Sequence, residues 1–208
     1  MAKKSVKRKR LFITFEGGEG TGKSTHIKFL AAFLKKKRKS VKTFREPGSS
    51  ALSEKIRAIL LHSKGTISPK TELFLYLAAR AQFINEKLES ALDKYDIVIC
   101  DRFSDSTMVY QGYGLKLGME KIRPLVDFAA CGITPDLTFV LDVEPRKALG
   151  RIKGAKDRIE KRPMAFHQAL RRGYKILALK EPKRVHVIHN DDIEHTHTMI
   201  TKIVERHV

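Results

Sequence analysis

Residues Gly17–Ser24 read Gly-Gly-Glu-Gly-Thr-Gly-Lys-Ser and fit the G-x-x-x-x-G-K-[ST] template of a phosphate-cradling loop. The flanks decide how much that match is worth. Before it, Leu11-Phe12-Ile13-Thr14-Phe15 is a short apolar, β-branched run of the kind that forms a strand buried on both faces. After Lys23, apolar residues recur at helical spacing as far as Leu34. Strand, glycine loop and helix in that order turn backbone N–H groups and a helix N-terminus toward an anion. The sequence therefore predicts a nucleoside-triphosphate site. Gly17, Gly18, Glu19, Gly20, Thr21 and Gly22 form its cradle, Lys23 reaches the β/γ oxygens, Ser24 ligates Mg2+, and Thr25 continues into the helix.

Beyond the loop, strand-like and helix-like segments alternate, which predicts a parallel sheet covered on both faces. The expected strands are Leu11–Phe15, Val41–Phe44, Ile97–Cys100, Leu137–Val143 and Val185–Ile188. Helices are expected near Thr25–Lys37, Leu52–Leu61, Pro69–Asp93, Met119–Ala130, Arg146–Ile152, Ala165–Leu179 and Ile193–Glu205. The fold class that follows is α/β: a P-loop NTPase-type three-layer α/β/α arrangement around a five-stranded parallel sheet, in one domain over residues 11–208. Right-handed crossovers place the loop at the carboxyl ends of the strands. Residues 151–161 include the basic stretch Lys153-Gly154-Ala155-Lys156-Asp157-Arg158, lack an apolar stripe, and read as a flexible lid.

Lys and Arg number 42 against 23 Asp and Glu, a formal charge of +19. Such an excess attracts polyanions, nucleotides included. Part of it is local. Lys3, Lys4, Lys7, Arg8, Lys9 and Arg10 form a basic tail without the apolar stretch of a secretory signal behind it. Lys35–Lys39 ends the first helix, where positive charge suits the helix dipole. No apolar run approaches the ~18 residues of a membrane span. Cys100 and Cys131 are far apart and in no metal-ligand spacing. A soluble, cytoplasmic protein with reduced thiols and no membrane or specific nucleic-acid partner is expected.

A phosphate loop alone does not separate a GTPase, a motor and a small-molecule kinase. The chain has neither an Asp-x-x-Gly switch nor an Asn-Lys-x-Asp guanine-reading motif, and its length favours a compact nucleotide kinase. A second buried strand ends in Asp101-Arg102. A carboxylate there stands near the Mg2+ of the loop, and an arginine can clamp a second phosphate with two parallel hydrogen bonds. The same pair also fits a plain salt bridge at a strand end. Ser106, Thr107, Tyr110 and Gln111 follow at helical spacing, neutral groups suited to an uncharged base and sugar. Arg45-Glu46-Pro47-Gly48-Ser49-Ser50 reads as a turn and a helix start. In the helix after Pro69, Leu73, Leu77, Ile84 and Leu88 make one apolar stripe, with Tyr76 and Arg80 one turn apart on another face. An aromatic ring plus an arginine suits a base and its carbonyl, though a packed tyrosine beside a surface arginine looks the same.

Together these stretches resemble the thymidylate kinases, which make dTDP from dTMP and ATP. Phe15-Glu16-Gly17, Arg45-Glu46-Pro47-Gly48, Ala78-Ala79-Arg80 and Asp101-Arg102 with Ser106-Thr107 and Tyr110-Gln111-Gly112 occur in that family's order and spacing. Pro135-Asp136-Leu137 and Asp157-Arg158-Ile159-Glu160 also look like it, so the likeness runs from about Leu11 to Asn190. It implies ATP with Mg2+ as donor, dTMP as acceptor, and a homodimer through the helix at Pro69–Asp93. It also implies roles. Glu16 would sit beside the deoxyribose 3′-hydroxyl, Arg45 and Pro47 would border the monophosphate pocket, and Arg102 would hold the dTMP phosphate. Tyr76 would stack on thymine, Arg80 would bond its O4, Thr107 and Gln111 would read the N3 edge with Ser106 beside them, and Tyr110 would crowd the sugar's 2′ position. Ser24 and Asp101 would serve the metal.

The loop positions Gly18–Thr21 hold no basic residue. Charge in the transition state is therefore expected to be met from the lid, by Arg151 and Arg158, with Lys23 and Arg102 completing the catalytic set. Two departures stand out: Ser49-Ser50 follow Gly48 where the family often has Gly-Thr, and Tyr76 stands where Phe is usual. Two other readings stay open on the residues. One is a kinase for a different pyrimidine nucleotide, since one methyl separates thymine from uracil by only about 1–3 kcal/mol. The other is a basic nucleic-acid-binding protein switched by ATP.

Overall fold

A computed structural model describes residues 10–208, so the expected basic tail lies outside the described residues except for Arg10. Leu11–Glu16 forms β1, buried at all six positions. Its burial follows from its place in the middle of the sheet, whose order is β2-β3-β1-β4-β5. The other strands are β2 (Val41–Arg45), β3 (Ile97–Asp101), β4 (Leu137–Asp142) and β5 (Val185–His189). All neighbours pair in parallel, so the expected five-stranded parallel sheet is what forms. The register sets Phe15 and Arg45 each opposite Asp101, which brings three candidate segments to one end of the sheet.

Alternation along β1 sends Ile13 and Phe15 to one face and Phe12 to the other. On the first face, Ile27, Leu30 and Leu34 of α1 (Lys23–Lys36) and Ile200 and Val204 of α9 (Ile193–Glu205) close over Ile13, Phe15, Phe139 and Leu141. On the second, Phe83, Ile84 and Leu88 cover Phe12, Val98 and Cys100. Leu170, Tyr174 and Leu177 of α8 (Met164–Lys180) cover Val140 and Val185. The hydroxyls of Thr14 and Thr138, buried in adjacent strands, satisfy one another at 2.8 Å. Among the described residues no helix is long and apolar enough to cross a membrane.

Helix starts follow the chemistry of their caps. Ser50 accepts from the Ser53 N–H ahead of α2 (Ala51–His62), and Ser68 with Pro69 starts α3 (Pro69–Phe83). The helix expected over Pro69–Asp93 is interrupted: a π turn at Ile84–Leu88 separates α3 from α4 (Glu89–Lys94). After β3, the short α5 (Ser104–Thr107) runs directly into a π-helical segment, Met108–Gly114. α6 (Met119–Ala129) and α7 (Pro145–Gly150) follow, the latter capped by Glu144. The stripe on α3 is internal, since Leu73 and Leu77 pack on Ile122, Val126 and Ala129 of α6. It is therefore not a face open to a second chain. Residues 151–163, between α7 and α8, which include the segment expected to be a lid, form no helix or strand.

Candidate active site

The loop leaves β1 at Glu16 and enters α1 at Lys23. Gly20 adopts φ +70, and a Cβ there would lie 2.0 Å from the Ala148 carbonyl oxygen, so glycine is what lets the loop close against α7. The Lys23 ammonium is almost buried and donates to the carbonyls of Gly18 (2.8 Å) and Gly17 (3.4 Å). Burial, then the charge of Arg102, pulls that ammonium down to about 8, with Asp101, Glu19 and Glu16 opposing. A phosphate beside Nζ would favour the charged form. Ser24 Oγ donates to Asp101 Oδ2 at 3.2 Å across the β1–β3 end of the sheet. A hydroxyl and a carboxylate beside a phosphate cradle are the hard oxygen donors that Mg2+ takes.

One cavity of about 680 Å³ joins this cradle to the remaining motifs. Arg102 sits in it with φ +72, a left-handed conformation that costs a non-glycine residue about 1 kcal/mol or more. Its backbone N–H bonds to the Phe15 carbonyl at 2.9 Å. The guanidinium donates to the Gly17 carbonyl (2.8 Å), Ser106 Oγ (3.2 Å) and Glu19 Oε1 (2.9 Å), and lies 4.9 Å over the Tyr110 ring. Tyr110 also donates to Glu19 Oε1, at 2.6 Å. Burial pushes the Glu19 carboxyl up, but Arg102, Lys23 and the Tyr110 hydroxyl together hold it below its ordinary value. Its second oxygen, Oε2, is buried without a hydrogen bond and lies 3.8 Å from His167 Nδ1.

On the far wall, Arg80 donates through Nε to Glu46 Oε2 (2.8 Å) and through NH1 to Thr107 Oγ1 (2.9 Å). The Arg80–Glu46 pair is buried, and Glu46 is pushed upward by that burial against the pull of Arg80. Gln111 donates to Glu72 at 3.0 Å. Tyr76, Pro47, Arg45 and Arg57 complete the wall, with Arg45 held by both oxygens of Glu54 at 2.9 Å. Burial, then the nearby Glu72 charge, keeps the Tyr76 phenol protonated well above its usual range.

The family model for thymidylate kinases matches residues 15–200. The chain belongs to the thymidylate kinase family. It is 41% identical over 199 residues to the thymidylate kinase of Caldanaerobacter subterraneus subsp. tengcongensis, spanning 95% of this chain and 96% of that protein. Over 188 residues it is 43% identical to the enzyme of Desulfovibrio desulfuricans, covering 86% and 87% of the two chains. Its fold matches the crystal structure of thymidylate kinase from Ehrlichia chaffeensis with a TM-score of 0.78 at 34% identity, covering 94% of this chain and 98% of that one. Its reaction is transfer of the ATP γ-phosphate to dTMP, giving dTDP and ADP. Neither a different pyrimidine substrate nor a nucleic-acid switch finds support in these similarities.

Most residues expected at the site line the one cavity: Glu19–Thr25 of the loop, Asp101, Arg102, Ser106, Thr107, Tyr110 and Gln111, Arg45, Pro47, Tyr76 and Arg80, and Arg151. Gly17 and Gly18 stand behind them and hold Lys23. Two more of the expected residues lie outside the cavity lining. Glu16 is fully buried beneath the floor, where it accepts from Phe103 N (2.8 Å), Ser106 Oγ (2.5 Å) and Tyr174 OH (2.8 Å). Burial, then the Asp105 charge, raises its carboxyl to about 7, with Arg102 opposing. It supports Ser106 from beneath the floor. Arg158 turns away from the cavity: its Nε donates to the Leu60 carbonyl at 2.6 Å and its NH2 lies 2.6 Å from Glu72.

Sequence reasoning passed over Arg57, which lines the acceptor wall and donates to the Pro47 carbonyl at 2.9 Å. It also passed over Asn190, which follows β5 and bonds the Thr21 carbonyl at 2.6 Å. Asn190 was findable as a polar residue at the carboxyl end of a parallel strand, where such sheets bind ligands. Ser49 explains one departure. It takes φ +68, and its hydroxyl and N–H bond to the Arg45 backbone and to Glu54, compensating for the missing glycine.

Proposed function

We propose that ATP and dTMP meet head to head in this continuous cavity, with the triphosphate on Glu19–Thr25 and the acceptor phosphate among Arg102, Arg45 and Arg57. The observation that carries this is the continuity of the cavity from the loop to Arg80, Thr107 and Gln111. Thymine lies against Tyr76 with its O4 toward Arg80 and its N3 edge toward Thr107 and Gln111. Glu19, rather than Glu16, faces the sugar: it lines the cavity, and the Tyr110 that bonds its Oε1 crowds the 2′ position. An anionic oxygen of dTMP attacks the γ-phosphorus in line, and ADP leaves. That nucleophile needs no general base, so positioning and charge neutralisation by Lys23, Arg102 and Arg151 carry the reaction.

Ser24 and Asp101 would hold Mg2+, which neutralises charge on the β and γ oxygens when bound. Asp101→Asn should raise the Mg2+ concentration giving half-maximal rate by about tenfold or more. A titration indistinguishable from the parent protein's would remove Asp101 from the metal's surroundings. Two free cysteines, Cys131 exposed, fit a reducing cytoplasm. The homodimer is proposed on residues other than the α3 stripe. Phe74 on α3 and Phe128 on α6 are 57% and 86% exposed, although these two helices pack together. Sedimentation equilibrium should give twice the chain mass, and Phe128→Asp a single chain; a single-chain mass for the unaltered protein would overturn the proposal.

A further inference from the structure

Glu72 belongs to none of the motifs and does not line the cavity, yet it joins two parts of the site. It is the fourth residue of α3 and fully buried. Oε1 accepts from Gln111 Nε2 at 3.0 Å. Oε2 accepts from Arg162 NH2 at 2.7 Å and lies 2.6 Å from Arg158 NH2. Both arginines come from the segment between α7 and α8. That segment is seated on the end of α2 through Arg158, whose N–H reaches the Leu61 carbonyl at 3.1 Å.

The chemistry of the carboxylate sets the orientation of the amide. An ionised carboxylate accepts and cannot donate, so Gln111 must turn Nε2 toward Glu72 and Oε1 toward the cavity it lines. A base with N–H at ring position 3, as in thymine and uracil, donates to that oxygen. Cytosine presents a lone pair there and is repelled. We propose that Glu72 is a positioning residue that couples lid seating to base reading: with its charge matched by Arg158 and Arg162, it locks Gln111 with its acceptor toward the base. This rests on the role given to Gln111 above. A buried charge stripped of its partners is costly and does not stay in place. Lifting the lid therefore frees the amide, and discrimination among bases is complete only when the lid is down.

The test compares kcat/KM for dTMP, dUMP and dCMP. Glu72→Gln is expected to cut the preference for dTMP over dCMP by about tenfold, the worth of one aligned hydrogen bond, chiefly through KM. The dTMP to dUMP ratio should stay fixed, because those bases share the N3 edge. The double variant Arg158→Gln/Arg162→Gln, altered at partly exposed positions that tolerate amides, should lose the same preference from the other end. Gln111→Ala sets the floor, and combining it with Glu72→Gln should lower the ratio no further. An intact dTMP to dCMP ratio in Glu72→Gln, with Gln111→Ala reducing it, overturns the role of Glu72 alone. An intact ratio in the arginine double variant overturns the coupling to the lid. No change in Gln111→Ala itself overturns the reading of Gln111 and this inference with it.

Discussion

Arg102→Ala should lower kcat/KM for dTMP by at least about 10³-fold, the scale of a phosphate-binding arginine. Two effects add. The variant loses the guanidinium fork proposed to meet the acceptor phosphate. It also exposes Glu19, whose Oε1 now has Arg102 at 2.9 Å, so a carboxylate faces the incoming dianion without its nearest cation. Arg102→Lys separates them: it keeps the charge beside Glu19 but not the fork, and should fall by about 10²-fold. Steady-state kinetics with dTMP varied at saturating ATP would decide it, alongside thermal unfolding, because the loss of a buried partner also destabilises. A fall of less than about tenfold for Arg102→Ala would remove Arg102 from the acceptor clamp.

The residues that were legible in the sequence are those whose role is set by near neighbours in the chain. The loop needs glycines at fixed offsets, as the 2.0 Å approach at Gly20 shows. Asp101-Arg102 reads as a site because a buried strand ends there. Glu16 misled because it adjoins the loop motif. Yet strand alternation puts it on the face of Phe12 and Thr14, under Phe103 and Tyr174, and the burial of all six residues of β1 carries that information. The π-helical segment at Met108–Gly114 was hidden because it keeps helical composition while shifting register by one residue. Tyr110 and Gln111 remain buried in it through contacts with Glu19 and Glu72, residues far away in sequence. Arg57 and Glu72 sit on ordinary amphipathic helices; Arg57 turns back to the Pro47 carbonyl ahead of its own helix, and only the packing of α3 against the lid gives Glu72 its arginines.

The lid shows the limit of reading charge from an irregular segment, where no periodicity tells which way a side chain points. Arg151 and Arg158 are both basic and both near the phosphates in sequence terms, but the fold treats them differently. Arg151 lines the cavity at the end of α7, and its side chain has no hydrogen bond or ion pair among the described residues. It is the cation proposed above to meet the γ-phosphate as charge develops there. Arg158 is committed to the Leu60 carbonyl and Glu72. Arg151→Ala should therefore lower kcat by roughly 10³-fold, with dTMP binding little changed. Arg158→Ala should hold kcat within about tenfold and instead raise KM for dTMP, because it loosens the seat of the lid without removing charge from the reacting atoms. Single-turnover rates at saturating ATP and dTMP isolate the chemical step from release. The opposite ranking would mean that the lid rearranges when both nucleotides are bound, exchanging Glu72 for the triphosphate as the partner of Arg158.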